Sequence, residues 1–241
     1  TQLFQATDGH ARIFSGSRQM GQQTFDAVAR SLGVTPVEVP LDTAIGDGAG
    51  ERSPRLIEKT FSRYTVSKND NRAVILIDIA GFSLIPPEQQ AAQLTALEFA
   101  LNLAEDIAHR QNMLLDLARS TTGDGFYLWN REKGFDANIA LCEFFILLLA
   151  VHALLQDRIT PSCNPVIRSC FSIGSHYGFH HIDSFGTGGY DYIVGDVTIH
   201  LARLMEHAER NQILFSEFIR HRKDGEPPVN TAAFLEYASE K

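Results

Sequence analysis

Between positions 73 and 77 the chain reads Ala-Val-Ile-Leu-Ile, an unbroken and largely β-branched apolar run of the kind found in a strand buried on both faces. It ends on Asp78. After Pro86-Pro87, placed where a helix tolerates proline, residues 88–110 carry helical periodicity with few breakers. Two strand-like runs, 113–122 and 126–129, flank Gly123-Asp124-Gly125, whose composition predicts a hairpin turn. The apolar stretch 136–156 reads as a helix, 166–173 and 190–194 as strands, 196–210 as a helix and 212–215 as a last strand. That order predicts an α+β fold, with helices packed mainly on one face of a sheet. Residues 1–68 differ, being polar or amphipathic and broken by a loop at 44–53 rich in Gly, Asp and Ser. They read as an N-terminal extension to a domain spanning 69–241.

Composition narrows the function classes. With 241 residues, 44% of them hydrophobic and 21% charged, the chain can bury a full core. A net charge of −8 argues against a nucleic-acid surface, which needs clustered Lys and Arg. Cys142, Cys163 and Cys170 form no CxxC pair and leave one over, so neither a disulfide framework nor a zinc ribbon is indicated. A reducing, cytoplasmic setting fits them, and residues 1–10 lack the layout of a signal peptide. Residues 137–155 are about long enough to span a bilayer, yet they contain Asn138, Glu143 and His152. A charge near the centre of a span is costly, so a buried core helix is expected, with a lone membrane anchor as the lesser reading.

The candidate chemistry centres on two carboxylates. Asp78 ends the buried strand and Asp124 sits in the hairpin turn; a sheet that lays the hairpin beside the first strand would project both from neighbouring strand ends. Such a pair can hold two divalent cations, one activating an attacking oxygen and the other neutralising phosphates. Ile79-Ala80-Gly81-Phe82-Ser83 then forms a strand-to-helix turn whose backbone N–H groups can cradle a triphosphate. Each feature alone is also what a strand-end cap or an ordinary turn looks like.

Four segments in order change that balance. Asp78-Ile79-Ala80-Gly81-Phe82-Ser83 resembles the first metal-binding signature of class III adenylyl and guanylyl cyclases, and Thr122-Gly123-Asp124-Gly125-Phe126 resembles the second. Arg168 with the stretch Ile173-Gly174-Ser175-His176-Tyr177-Gly178 is similar to the family's R-x-G-I-H-x-G strand and turn. The stretch from Gly195 to Leu204 is similar to its G-D-x-V-N-x-A-A-R-L helix start. The resemblance covers about residues 70–218. It implies a ferredoxin-like palm domain working as a head-to-tail homodimer, with active sites shared between subunits. It also implies a nucleoside triphosphate substrate, closed to a 3′,5′-cyclic monophosphate with release of pyrophosphate. On this reading Asp78, Asp124 and the Ile79 carbonyl bind two Mg²⁺ or Mn²⁺ ions, Gly81, Phe82 and Ser83 contact the triphosphate, and Arg203 stabilises charge on the transferring phosphoryl group.

The chain departs from the family where the ribose and base are bound. Ile199 occupies the position of the family's Asn and cannot hydrogen-bond a ribose oxygen. His200, three residues before Arg203, shares its face and is either an orienting residue or a surface histidine. The two positions that select purines fall on Ser120 and Tyr192, and neither purine pair is present. A tyrosine would shorten the pocket, favouring a one-ring base. This is similar to the Pycsar-type bacterial pyrimidine cyclases, antiphage enzymes whose cyclic UMP or cyclic CMP acts through an effector encoded beside them, and UTP is expected over CTP. A shift of one residue would put Asp191 at the base position and restore an adenine reader. An adenylate cyclase with an unusual pocket and a degenerate domain that binds nucleotide without turnover are the alternatives.

Other motifs carry less. His176, His180 and His181 lack an HExxH helix and are expected in a strand end and loop, with local turn contacts rather than zinc. Ser162, Ser169 and Ser172 lack a G-x-S-x-G elbow. Arg220, Arg222 and Lys223 form a short basic cluster that is either solvated or lends one side chain to the triphosphate.

Overall fold

The computed structural model describes residues 4–7, 10–13, 30, 66–182, 189–221 and 228–239. The chain divides into two units, Thr1–Leu56 and Ile57–Lys241. In the first, β1 (Phe4–Thr7) pairs with β2 (His10–Ile13) as an antiparallel hairpin. The loop at 44–53 and the basic residues Arg222 and Lys223 lie outside the described residues.

The second unit is built on β3 (Val66–Ile79), which continues the apolar run backward by seven residues and forward by two. The residues from Ala73 to Ile79 are all buried, as a strand covered on both faces requires. Helix α1 (Pro87–Arg110) follows, then the hairpin of β4 (Leu117–Thr121) and β5 (Gly125–Asn130). Helix α2 (Phe135–Gln156) returns the chain to β6 (Ile167–Ile182). The strand order β4-β5-β3-β6, all neighbours antiparallel, is that of the split βαββαβ, ferredoxin-like motif. Onto this are added β7 (Gly189–Val194), paired with β6, helix α3 (Asp196–Met205), and β8 (Ile213–Phe215), which pairs parallel to β6 and makes the sheet mixed. A small antiparallel pair, β9 (Ile219–His221) with β10 (Pro228–Asn230), and helix α4 (Thr231–Ser239) end the described chain.

The two-residue period of β3 sorts the core into two layers. Ala73, Ile75, Ile77 and Ile79 pack with α1, α2 and Phe234 of α4, whereas Val74 and Leu76 pack with Val197, Leu201 and Met205 of α3 on the opposite face. Helices therefore cover one face heavily and the other lightly. Helix α2 has the length and apolarity of a membrane span, but 56% of its most apolar window is buried inside the fold. Two of its polar residues are bonded to neighbouring backbone. Asn138 accepts from the Ala73 N–H at 2.8 Å and donates to the Asn71 carbonyl at 2.9 Å, and the His152 ring meets the Pro165 carbonyl at 3.0 Å.

Three elements differ from the sequence expectation, each for a local reason. Strand β6 runs on to Ile182 instead of stopping at 173, because Gly174 is a packing glycine and not a turn. A Cβ there would lie 2.9 Å from the Val197 Cβ, so its absence lets α3 lie against the strand. His176 and His180 are consequently strand residues, and His176 is buried. Strand β4 begins at Leu117 and not at 113, since Asn130 pins the approach by accepting from the Asp116 N–H and donating to the Leu114 carbonyl. Helix α3 stops at Met205 instead of 210. His207 and Ala208 make tight bonds to the carbonyls three residues back, and Arg168 reaches in to the Met205 and Ala208 carbonyls.

Candidate active site

Strand pairing brings the two carboxylates together. Asp78 is paired in register with Gly125, so the residue before Gly125 falls beside the end of β3, and the Ile79 N–H donates to the Asp124 carbonyl at 3.0 Å. Gly125 makes this approach possible. A Cβ on it would sit 1.9 Å from the Ile77 carbonyl oxygen, a distance no side chain can occupy. Gly123, at φ +104°, closes the turn in a conformation suited to glycine. The spacing of the Gly-Asp-Gly segment thus has a steric cause at both glycines.

Asp78 is buried, its side chain only 8% exposed, and its Oδ2 accepts from Nε and Nη2 of Arg168, each at 2.5 Å. Asp124 is half-buried, and its Oδ1 accepts from the Thr122 hydroxyl at 3.3 Å. Burial pushes the Asp78 carboxyl up to about 6; the Asp124 carboxylate also pushes it up, while Arg168 pulls it down. One arginine does not fully offset two adjacent carboxylates at a partly dry strand end. The donors are hard oxygens, which is the set that Mg²⁺ or Mn²⁺ takes. The two carboxylates therefore fit divalent cations.

The sign of the Asp78 shift gives a measurable consequence. A carboxyl whose folded-state pKa lies above its ordinary 3.8 adds stability while protonated and loses that contribution as the pH rises through about 6. A bound cation displaces the proton. Added Mn²⁺ or Mg²⁺ should therefore raise the melting temperature more at about pH 7.5 than at about pH 5, read by thermal-shift fluorescence at constant ionic strength. Equal shifts at both pH values would exclude metal binding through Asp78.

The turn after β3 is shaped for backbone contact. Gly81 adopts φ +77° and starts the 3-10 turn Phe82–Leu84. Gln90 of α1 holds that turn by donating to the Phe82 and Ile85 carbonyls. Ser83 is exposed and Phe82 half-buried. Two arginines stand beside it. Arg168 and Arg210 line a 480 Å³ cavity with Ala80 and Gly81, and an Arg210 Nη atom lies 3.2 Å from where a Gly81 Cβ would be. Sequence reasoning placed Arg168 only within a motif and missed Arg210. The signal for Arg210 was the end of α3, because a chain that leaves helix at Met205 turns it back toward Gly81.

Helix α3 shows two faces to two cavities. Ala202, Met205 and Glu206 line a 250 Å³ cleft with Asp78, Asp124 and Arg168. On the other side, Asp196, Ile199, His200 and Arg203, at the i, i+3, i+4, i+7 spacing of one helical face, line a 1040 Å³ cavity with Ser175 and Glu217. His200 and Arg203 are exposed, and Ile199 is 52% exposed. Within one chain the structure joins Asp78 to Asp124, and His200 to Arg203. It does not join these two groups.

The base positions are not gathered into either cavity. Ser120 faces the α3 side of the sheet beside Tyr127, in line with Ala118 and Trp129. Tyr192 does not share that side. Ile193 is its neighbour on the α3 side, so the alternation of β7 turns Tyr192 to the opposite face, where its ring stacks on Phe179 at a centroid distance of 4.6 Å. Ser120 and Tyr192 therefore face opposite sides of the sheet within one chain. Asp191 does lie on the α3 side, but its carboxylate is taken up by Arg131 and by the His180 ring, the latter at 2.6 Å.

No family model and no curated protein matches the sequence. Among solved structures, the chain is similar to the adenylyl cyclase CyaB from P. aeruginosa, at 17% identity and a TM-score of 0.44, over 68% of this chain and 93% of that one. It is similar to the guanylate cyclase domain of RhGC from Catenaria anguillulae, solved in complex with GTP, at 12% identity and 0.46, over 68% and 95%. It is also similar to the dimeric guanylyl cyclase domain of the RhoGC fusion protein from the aquatic fungus Blastocladiella emersonii, at 14% identity and 0.48, over 66% and 90%.

Proposed function

We propose that this chain is a divalent-metal-dependent nucleotide cyclase, which converts a nucleoside triphosphate to its 3′,5′-cyclic monophosphate and pyrophosphate. The observation that carries the reading is the buried Asp78 set against Asp124 at the end of β3, with the Gly81 turn and two arginines beside it. Two of the four ordered sequence signatures, and Arg168 of the third, fall on these same elements.

The roles follow from chemistry. Asp78, Asp124 and the Ile79 carbonyl would hold two divalent cations, which when bound supply Lewis acidity for the attack of the 3′-hydroxyl on the α-phosphate and charge neutralisation for the leaving pyrophosphate. Arg168 holds the Asp78 carboxylate in one orientation by donating twice to the same oxygen. The backbone of the Gly81 turn and the Arg210 guanidinium bind phosphate oxygens. Arg203 meets the negative charge that builds on the phosphoryl group, and His200 orients it. Because α3 keeps Arg203 out of the cleft that holds Asp78, a complete site takes Asp78 and Asp124 from one subunit and Arg203 from a second. A homodimer is therefore part of the proposal.

A one-ring base is proposed as substrate, UTP before CTP. It is supported by the residue types at the selecting positions, since the Ser120 hydroxyl is too short to read a purine edge as a lysine or glutamate would. Tyr192 no longer contributes to that argument. The product would act as a cytoplasmic second messenger through a separate effector, in the antiphage setting that the sequence resemblance implies. An equimolar mixture of ATP, GTP, CTP and UTP with Mn²⁺ tests the base by competition. Cyclic UMP or cyclic CMP should dominate, and cyclic AMP as the dominant product would replace the pyrimidine reading with one centred on Asp191.

A further inference from the structure

A further cavity, of 560 Å³, opens where β3 begins and β5 ends, and the chemistry of its lining is unlike that of the carboxylate cleft. Arg72 is only 5% exposed, yet among the described residues its Nη1 has no hydrogen-bond partner, the other terminal nitrogen being bound to the Asn130 carbonyl. His176, 2% exposed, leaves Nδ1 without a partner among the same residues. Both residues line this cavity. A buried guanidinium N–H left unmade costs free energy that an acceptor would recover. Burial, aided by Arg72, pushes the His176 imidazole down to about 4, so the ring is neutral and able to donate or accept.

The rest of the lining sets the sign and shape of the occupant. Arg131 and Lys133 add cationic groups around the mouth, and His180 adds an imidazole. Among the described residues the one carboxylate in the lining, Asp191, is engaged by Arg131 and His180 and so repels an anion less than a free one would. Glu132 acts on Arg72 electrostatically from outside the lining. Trp129 provides flat apolar surface. An inorganic oxyanion alone would leave most of the volume unfilled. Arg72 stands six residues before Asp78 on a continuous strand, about 20 Å away at the rise of extended chain.

We propose that this cavity is a binding site, separate from the carboxylate cleft, for a small organic oxyanion: a carboxylate or phosphate head facing Arg72 and His176, on a planar apolar body lying against Trp129. The proposal does not depend on the cyclase reading.

Trp129 is the chain's single tryptophan, which makes its emission a built-in reporter of occupancy. The full chain is titrated with benzoate, phenyl phosphate, inorganic phosphate and benzamide, with sodium chloride as the ionic-strength control. Benzoate, phenyl phosphate or both should give a saturable emission change, and which of the two binds tighter identifies the head group. Inorganic phosphate should bind more weakly, and benzamide should match the chloride control. Arg72→Met should weaken binding about tenfold or more. Should that variant not fold, Ser67→Phe, which fills the cavity from its exposed rim, should abolish the response at an unchanged melting temperature. The response should persist in Asp78→Asn, so a failure of the cyclase reading would not remove it. The proposal is overturned if no ligand exceeds the chloride control, if benzamide responds as benzoate does, or if a nucleoside triphosphate displaces the ligand competitively, which would make the cavity part of the substrate site.

Discussion

Asp78→Asn is expected to reduce cyclic-nucleotide formation by about a thousandfold or more while leaving the circular dichroism spectrum unchanged. The substitution is close to isosteric, so it tests charge and not packing. An amide keeps one oxygen for Arg168 but supplies no anionic donor for a divalent cation. Asp124 is half-buried in a turn and cannot move to replace it, because the Ile79 N–H and the absent Cβ of Gly125 fix the turn against β3. The loss should appear in kcat and should not be recovered by more substrate. Activity within a few-fold of wild type, with the spectrum intact, would show that Asp78 is a structural partner of Arg168 and nothing more.

The second large effect comes from mixing subunits. Arg203→Ala alone should cost about a hundredfold to a thousandfold, the range for removing one positioned donor from a transition state. Asp78→Ala alone should be inactive. In a symmetric dimer with two shared sites, random pairing of the two variants makes half of the dimers hybrid, and each hybrid holds one intact site and one doubly defective one. Roughly a quarter of wild-type activity should therefore return on refolding the two together. The physical ground is α3 itself, whose Ala202–Glu206 side meets the carboxylates while its Ile199–Arg203 side meets another cavity. Hybrid dimers confirmed by differential tags but lacking activity would place the whole site within one chain.

Legibility in the sequence followed the range of the forces involved. The β3 run and the Gly-Asp-Gly turn are local patterns, and they led directly to Asp78, Asp124 and the hairpin between them. The pairing of Arg168 with Asp78 spans ninety residues and is created by strand register, which no local pattern reports. Arg210 was hidden by a helix end that depends on Arg168 taking its carbonyls. Gly174 and Gly178 looked like the end of β6, although Gly174 is explained by how closely α3 packs. Tyr192 shows how sharply register acts: a strand alternates faces every residue, so counting back to a base position fails completely if it is off by one. The nitrogens of Arg72 and His176 left without partners among the described residues gave no sequence signal, since a missing partner is a property of the packed core.

The central claim is that this chain forms an internal phosphodiester. Purified protein incubated with Mn²⁺ and each of the four nucleoside triphosphates separately, with products resolved by liquid chromatography and mass spectrometry, tests that directly. The account predicts a 3′,5′-cyclic monophosphate and pyrophosphate in equal amounts from at least one triphosphate, both lost in Asp78→Asn. Formation of only nucleoside diphosphate and phosphate, or no product from any of the four, would contradict it.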